Sequence, residues 1–268
     1  FQEAPVTAVM GSVAKHVFLV TDPLRLGATV RTAFEIAPTG RPGPVVVDIP
    51  KDVQNWNGTF LGENQLPIPG YRQRHAAVEN NRLTDGSCQQ FFSMLADSKR
   101  PLIYAGGGVI NANASAALRA FSGAFKIPVA STLMGLGGFD TKHPLSLHML
   151  GMHGTASANY AVDDCDLLIA IGARFDDRVA GVPAKFAPKA KRVLHFDIDP
   201  SEIHKVKKAD WHHVGLLPAA LDALVAYARR TGFAASFDTW LGEIASLKAT
   251  YGLNYDRESP LVQPQYVI

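Results

Sequence analysis

The feature that most constrains this chain is a set of short apolar runs that never alternate with polar residues. RPLIYA (100–105), IPVAS (127–131), LLIAIGA (167–173) and KRVLHFDID (191–199) are each followed or preceded by a segment of helix length. A strand with one wet face alternates. A strand apolar on both faces must be covered on both, which parallel strands with helical crossovers achieve. NASAALRAFSGAF, GTASANYAVDDC and LPAALDALVAYARRTG supply helices, PSEIHKV opens a short one, and WHHVG reads as a last strand. Right-handed crossovers then predict an α/β fold with a doubly wound parallel sheet.

Residues 1–55 read as the C-terminal part of another α/β domain. AVMGSVAK is compatible with a helix and HVFLV with a strand. DPLRLGATVRTAFEIA follows as a helix with Asp22 as cap and Pro23 in its first turn, and Val45–Ile49 as a strand ended by Pro50. From residue 56 to 79 the pattern dissolves into Gly, Pro, Asn and Gln, which predicts a linker. The doubly wound domain then occupies 80–235, and 236–268 reads as a second linker leading out of it.

Composition enters as a set of exclusions. A net charge of +2 is too small to argue for nucleic acid or an acidic membrane surface. Two cysteines among 268 residues give neither a disulfide framework nor a zinc site, which points to a reducing, cytoplasmic setting. No apolar run reaches membrane-spanning length, and no signal peptide is recognisable. FQEAPV at one end and SPLVQPQYVI at the other read as cuts within a longer polypeptide.

In such sheets ligands bind outside the carboxyl ends of the strands, and the unusual residues collect there. Gly106-Gly107-Gly108 follows LIYA; it lets backbone approach a phosphate, or it makes a turn only glycine tolerates, and it lacks the full GxGxxG spacing. TLMGLGGFD follows IPVAS and offers the Thr132 hydroxyl, or else is a plain flexible loop. His148 and His153 near LGMHG lack a third ligand of metal-binding spacing, so a packed or ligand-adjacent histidine is the better reading. Asp197 and Asp199 in DIDP divide between a ribose contact and a helix cap. GARFDDR puts Arg174, Asp176, Asp177 and Arg178 at another strand end. Arginine forks suit a diphosphate, although a surface ion-pair cluster uses the same residues. Together the strand ends suggest an extended nucleotide.

FQEAPV, GRPGPVVVDIPKDVQ, LGMHG, GARFDDRVAG, FAPKAK and FDIDPSEI, in this order along essentially the whole chain, resemble the large catalytic subunit of acetolactate synthase (acetohydroxyacid synthase). That resemblance implies a thiamine-diphosphate-dependent transferase with three α/β domains. The enzyme joins a pyruvate-derived hydroxyethyl unit to a second 2-keto acid in branched-chain amino-acid biosynthesis. Residues 1–55 would end the thiamine pyrimidine-binding domain, 80–235 would be the central FAD domain, and 236–268 would lead to a pyrophosphate-binding domain. The family's FAD contacts correspond to Arg41, Gly107, Gly108, Thr132, Leu133, Gly151, Gly172, Arg174, Asp176, Arg178, Asp197 and Ile198. Its substrate channel corresponds to Phe1, Gln2, Lys51, Met152, His153, Asp177 and Arg178.

The resemblance further implies a catalytic homodimer or homotetramer, a possible small regulatory subunit, and a cytoplasmic or organellar location. Thiamine diphosphate and Mg²⁺ would belong to the full-length enzyme only. The activating glutamate would lie upstream of residue 1 and the GDG metal motif downstream of residue 268, and no GDG occurs in the chain. The 268 residues alone are therefore expected to bind FAD without catalysing the reaction. Leu216 stands where the family usually has aspartate. Alternatives are a related FAD-containing carboligase or decarboxylase, such as glyoxylate carboligase or oxalyl-CoA decarboxylase, and a non-catalytic nucleotide-binding module.

Overall fold

The computed structural model describes residues 4–59, 66–252, 256 and 258–262. The chain divides into two compact units, Phe1–Glu79 and Asn80–Ile268.

In the first unit, α1 (Val6–Met10) is shorter than the sequence suggests. It is followed by β1 (His16–Leu19), α2 (Leu26–Ile36), β2 (Val45–Asp48), α3 (Lys51–Gln54) and α4 (Tyr71–Glu79). β1 and β2 pair in parallel, His16 opposite Val45. The Asp22 carboxylate accepts the Leu24 N–H at 3.0 Å, as a cap should, over a single 3-10 turn (Pro23–Arg25) that leads into α2. Helix α2 buries Ala28, Thr29, Thr32, Ala33 and Ile36, the i, i+4, i+8 stripe of an amphipathic helix. The Lys15 ammonium donates to the carbonyls of Ile36 (2.6 Å) and Thr39 at the end of α2, and burial lowers its pKa. Within the stretch read as a linker, helix α4 is held by a two-pronged ion pair from Arg72 to Glu35 of α2, at 2.7 and 2.8 Å. Composition missed this helix because it is polar all round.

The second unit is the expected doubly wound domain. In chain order it runs α5 (Asp85–Ala96), β3 (Pro101–Ala105), α6 (Gly108–Asn111), α7 (Ser115–Phe125), β4 (Val129–Ser131) and β5 (Ser146–Met149). It continues through α8 (Ala156–Asp164), β6 (Leu167–Ile171), β7 (Arg192–Asp197), β8 (Trp211–Val214), α9 (Leu217–Thr231) and α10 (Asp238–Thr250). The six strands lie in the order β5-β4-β3-β6-β7-β8, and every pairing is parallel. The winding direction reverses between β3 and β6, whose registers match residue for residue from Pro101–Leu167 to Ala105–Ile171.

All five residues of β3 and all five of β6 are buried, which is why neither strand alternates. The helices covering them present apolar stripes: Cys88, Phe91, Phe92 and Leu95 on α5, and Leu118, Phe121 and Phe125 on α7. Thr84 and Thr155 cap α5 and α8 by accepting the N–H groups of Ser87 (3.1 Å) and Ala158 (3.2 Å). Phe91 makes edge contacts with Phe121, Phe196 and Trp211, tying helices on one layer to the sheet. Strand β5 escapes sequence reading because it is short, half-buried at one end and shifted in register against β4. Helix α10 occupies residues read as a linker, and its Trp240, 1% exposed, donates its indole N–H to the Pro101 carbonyl at 3.0 Å.

Candidate functional site

The carboxyl ends of the six strands form one rim, and most of the candidate residues stand on it. Phe1 and Gln2 lie outside the described residues, and Arg41 and Lys51 belong to the first unit, before β2 and at the start of α3.

At the switch point the glycines have a packing role. A Cβ on Gly106 would come within 2.3 Å of the Gly172 carbonyl, and one on Gly108 within 2.7 Å of the Gly172 Cα. The Gly108 N–H donates to the Gly172 carbonyl at 3.0 Å. The space beside Gly106 and Gly108 is therefore filled by the loop after β6, and close packing rather than a turn conformation requires glycine at both. Gly107 faces Met134, 3.0 Å from where its side chain would begin.

After β4, Thr132 accepts the Gly135 N–H at 3.0 Å, which caps a 3-10 turn (Leu133–Gly135). That turn leaves Leu133 and Met134 about three-quarters exposed, at 68% and 74%. Apolar side chains held outward by a capped turn suit a flat apolar ligand face.

After β5, Gly151 takes φ +98°, a conformation that excludes side chains, and the space beside it is open apart from the Arg178 carbonyl at 3.9 Å. Asn159 clamps this glycine from both sides, accepting its N–H (2.8 Å) and donating to its carbonyl (3.0 Å). Sequence reading passed over Asn159; a lone polar residue in a helix carries no signal until its partner is known. Met152 is 81% exposed and His153 is exposed beside it. His148 is a strand residue with φ 62°, its pKa lowered by burial and by Lys248.

The loop after β6 reaches over β3 and β4 towards Gly151, which brings Gly151 and Arg178 together. Arg174 approaches Asp176 at 3.7 Å, both side chains roughly half-exposed. One Asp176 carboxylate oxygen is buried without any hydrogen-bond partner. Asp177 and Arg178 are exposed. A loop that leaves an exposed arginine and an orphaned carboxylate oxygen, and pairs its other arginine only at 3.7 Å, is underused by the protein itself.

After β7 one of the two aspartates is a cap. Asp199 caps the 3-10 turn Pro200–Glu202 by accepting the Ser201 N–H at 2.9 Å and its hydroxyl at 2.7 Å. Asp197 is 8% exposed, accepts the Asp199 N–H at 3.0 Å, and sits beside half-buried Ile198. Leu216, after β8, occupies the cap position of α9 with no side-chain hydrogen bond.

This rim offers arginine forks, open glycine backbone and exposed apolar side chains. Chemically these groups suit a long anionic ligand with a planar part. Among the described residues there is no group of three His, Cys, Asp or Glu able to hold a metal, and no helix long and apolar enough to cross a membrane. A hollow of about 850 Å³ opens at the opposite, amino end of the sheet. Its charges largely satisfy each other, as in the Arg100–Glu243 and Lys189–Asp164 pairs, so the rim is the better site.

Three curated relatives match the chain over its full length. They are the acetolactate synthase large subunits of Corynebacterium glutamicum (42% identical) and Parasynechococcus marenigrum (41%), and the chloroplastic acetolactate synthase 1 of Zea mays (42%). The chain spans only 42%, 43% and 41% of their respective lengths, about two fifths. The family described as thiamine pyrophosphate enzyme, central domain, matches residues 88–224, from α5 into α9 and just over half of the chain. The six-stranded parallel unit that builds the rim is that central domain, and the chain belongs to the thiamine pyrophosphate enzyme family.

Proposed function

We propose that this chain is part of an acetolactate synthase catalytic subunit and that its rim binds FAD. The observation that carries the FAD reading is the loop after β6. It presents Arg174 and Arg178 beside an unpartnered Asp176 oxygen and reaches the open backbone of Gly151. Full-length similarity to acetolactate synthases at about two-fifths identity supports the activity.

In this reading Arg174 and Arg178 donate to the diphosphate, Gly107, Gly108 and Gly172 offer their backbone to it, and Gly151 keeps a side chain out of its path. Leu133, with Thr132 fixing its turn, contributes apolar surface to the flavin end, and Asp197 and Ile198 take the ribose end. Asp176 accepts a hydrogen bond from the cofactor through its unpartnered oxygen. Bound here, FAD supplies a rigid planar wall without net redox change, while thiamine diphosphate and Mg²⁺ supply the decarboxylation chemistry of the whole enzyme. Met152, His153, Asp177 and Arg178 face the 2-keto acids, and Arg178 is suited to a substrate carboxylate. A catalytic homo-oligomer, a regulatory subunit and a cytoplasmic or organellar location complete the proposal, in keeping with relatives named as large subunits and as chloroplastic.

Titrating the purified chain with FAD, and following quenching of flavin fluorescence, tests the cofactor reading. Saturable binding that ADP or NAD competes with only weakly is expected. Preference for NAD or ADP over FAD would overturn it in favour of a general nucleotide module.

A further inference from the structure

Five carbonyls from the end of β6 into the loop that carries Arg174 and Asp176 are engaged, two of them by buried side chains from flanking strands. Main-chain donors take the first: Gly106 N–H bonds the Ile171 carbonyl and Gly108 N–H the Gly172 carbonyl, each at 3.0 Å. The next carbonyl, Ala173, lies 3.1 Å from Nε2 of His195 on β7. Arg174 follows, and its carbonyl accepts the Tyr104 hydroxyl of β3 at 2.8 Å. Beyond these, the Asp176 carbonyl accepts the Ala180 N–H at 2.7 Å and begins a turn.

Tyr104 and His195 are both fully buried. They approach β6 from opposite sides, since β3 and β7 are its two neighbours in the sheet. The Phe175 ring sits between them, 5.6 Å from the Tyr104 ring and 5.4 Å edge-on to His195. We infer that Tyr104 and His195 are positioning residues, a pair of side-chain clamps that fix the Ala173–Arg174 backbone and so aim the Arg174 and Arg178 side chains across the rim. The functional consequence rests on the FAD reading above, whereas the clamp itself does not.

The chemistry of each clamp follows from its acceptor. A carbonyl oxygen only accepts, so His195 must carry its proton on Nε2. Its Nδ1 is then a buried lone pair, and it has no partner. The Asp197 carboxylate stands 3.7 Å from Nε2, too far for a good hydrogen bond, so the Ala173 carbonyl is the better partner. Tyr104 must stay a phenol to donate. Burial, reinforced by the Asp176 charge and opposed by Arg174, pushes its pKa well above the ordinary tyrosine value. Tyr104 is therefore held in the donating form.

Native-state trypsinolysis of the 268-residue chain without FAD reads the clamp directly, because Arg174 and Arg178 are themselves cleavage sites. Mass spectrometry would follow cutting after these two, with cutting after Lys142, in an exposed turn, as internal reference. Tyr104→Phe and His195→Leu each lose one donor, and cutting after Arg174 and Arg178 should rise about three- to tenfold with the reference unchanged. His195→Gln keeps an N–H near the Nε2 position and gives up only the unused Nδ1, so it should stay close to the unaltered chain. Should His195→Leu fail to fold, Tyr104→Phe and His195→Gln still decide the matter. Unchanged cutting in Tyr104→Phe, or an equal rise after Lys142, would overturn the clamp. FAD titration of the same variants separates the two ideas. If the unaltered chain binds no FAD while the cutting pattern holds, the clamp stands and the cofactor reading falls. If FAD binds the unaltered chain and the clamp-lacking variants equally well, the aiming role is overturned.

Discussion

The two ends of the six-stranded sheet use similar residues to opposite purposes. At the amino end, charges are closed on one another. Asp166 accepts the Ser98 hydroxyl (2.6 Å) and the N–H groups of Lys99 and Arg100 (2.9 Å each). Arg100 pairs with Glu243 at 2.8 Å, and Trp240 is buried beneath them. At the carboxyl end Arg178 is exposed, an Asp176 oxygen has no partner, and Leu133, Met134 and Met152 stand in solvent. Charge alone therefore does not mark a site; charge the fold leaves unsatisfied does.

The sharpest way to break this comparison is to open the closed end. Trp240→Ala removes a fully buried indole and its bond to the Pro101 carbonyl, and should destabilise the chain by about 3–5 kcal/mol in urea unfolding. FAD affinity, measured where the variant is still folded, should be unchanged. A loss of affinity without a loss of stability would show that the amino end is functional after all.

The next effect comes from the open end. Arg174→Ala should weaken FAD binding about 10- to 100-fold while moving the melting temperature little, because its ion partner among the described residues is a half-exposed aspartate at 3.7 Å. A large fall in stability would place this residue in the structural class with Arg100.

How much of this was legible beforehand depends on what each residue's partner is. The buried runs of β3, β4, β6 and β7 were readable because double-sided burial imprints itself on neighbouring positions, and so was a capping aspartate in DIDP. Helix α5 was equally readable from its apolar 88, 91, 92, 95 spacing and was passed over beside the louder strands. The packing of Gly106 and Gly108 against Gly172 was not readable, since it depends on two loops meeting at the switch point. Tyr104, Asn159 and His195 stayed silent for a related reason. Their partners include backbone groups, which every residue carries and no pattern distinguishes.

Acid titration separates the ends more gently. Burial alone would raise the Asp166 pKa, but the Ser98, Lys99 and Arg100 hydrogen bonds and the Lys191 charge hold it below the ordinary value. A carboxylate with a depressed native pKa contributes stability above its unfolded value, about 3.9, and that contribution is lost as pH falls through the native pKa. His213, 5% exposed, has its pKa lowered by burial and by neighbouring His212 and Arg82. Its neutral form is the native one, so its contribution is present above pH about 6.5 and declines below it. Stability should thus fall in two steps on acidification. His213→Gln should flatten the first step, and Asp166→Asn should flatten the second at a cost of about 1–2 kcal/mol at neutral pH. A first step that survives His213→Gln would assign it to another group.

The smallest effect tests where the open end stops. Leu216 precedes α9 with φ −72° and ψ 120°, an extended cap geometry, yet offers no acceptor. Pro218 has no N–H, so one of the orphan donors of the first turn is already absent, and Ala219 carries the N–H that a cap would satisfy. Leu216→Asp should therefore gain only about 0.5–1 kcal/mol, a rise of a few degrees in melting temperature. Leu216 is only 37% exposed, so the apolar burial lost in exchange offsets part of what the cap contributes and keeps the gain small. The same aspartate would stand beyond β8, next to the strand end that carries Asp197. If it raises stability alone, the ligand-binding rim ends at β7. A rise in FAD affinity as well would extend the rim to β8, with position 216 as an acceptor that the leucine leaves unused.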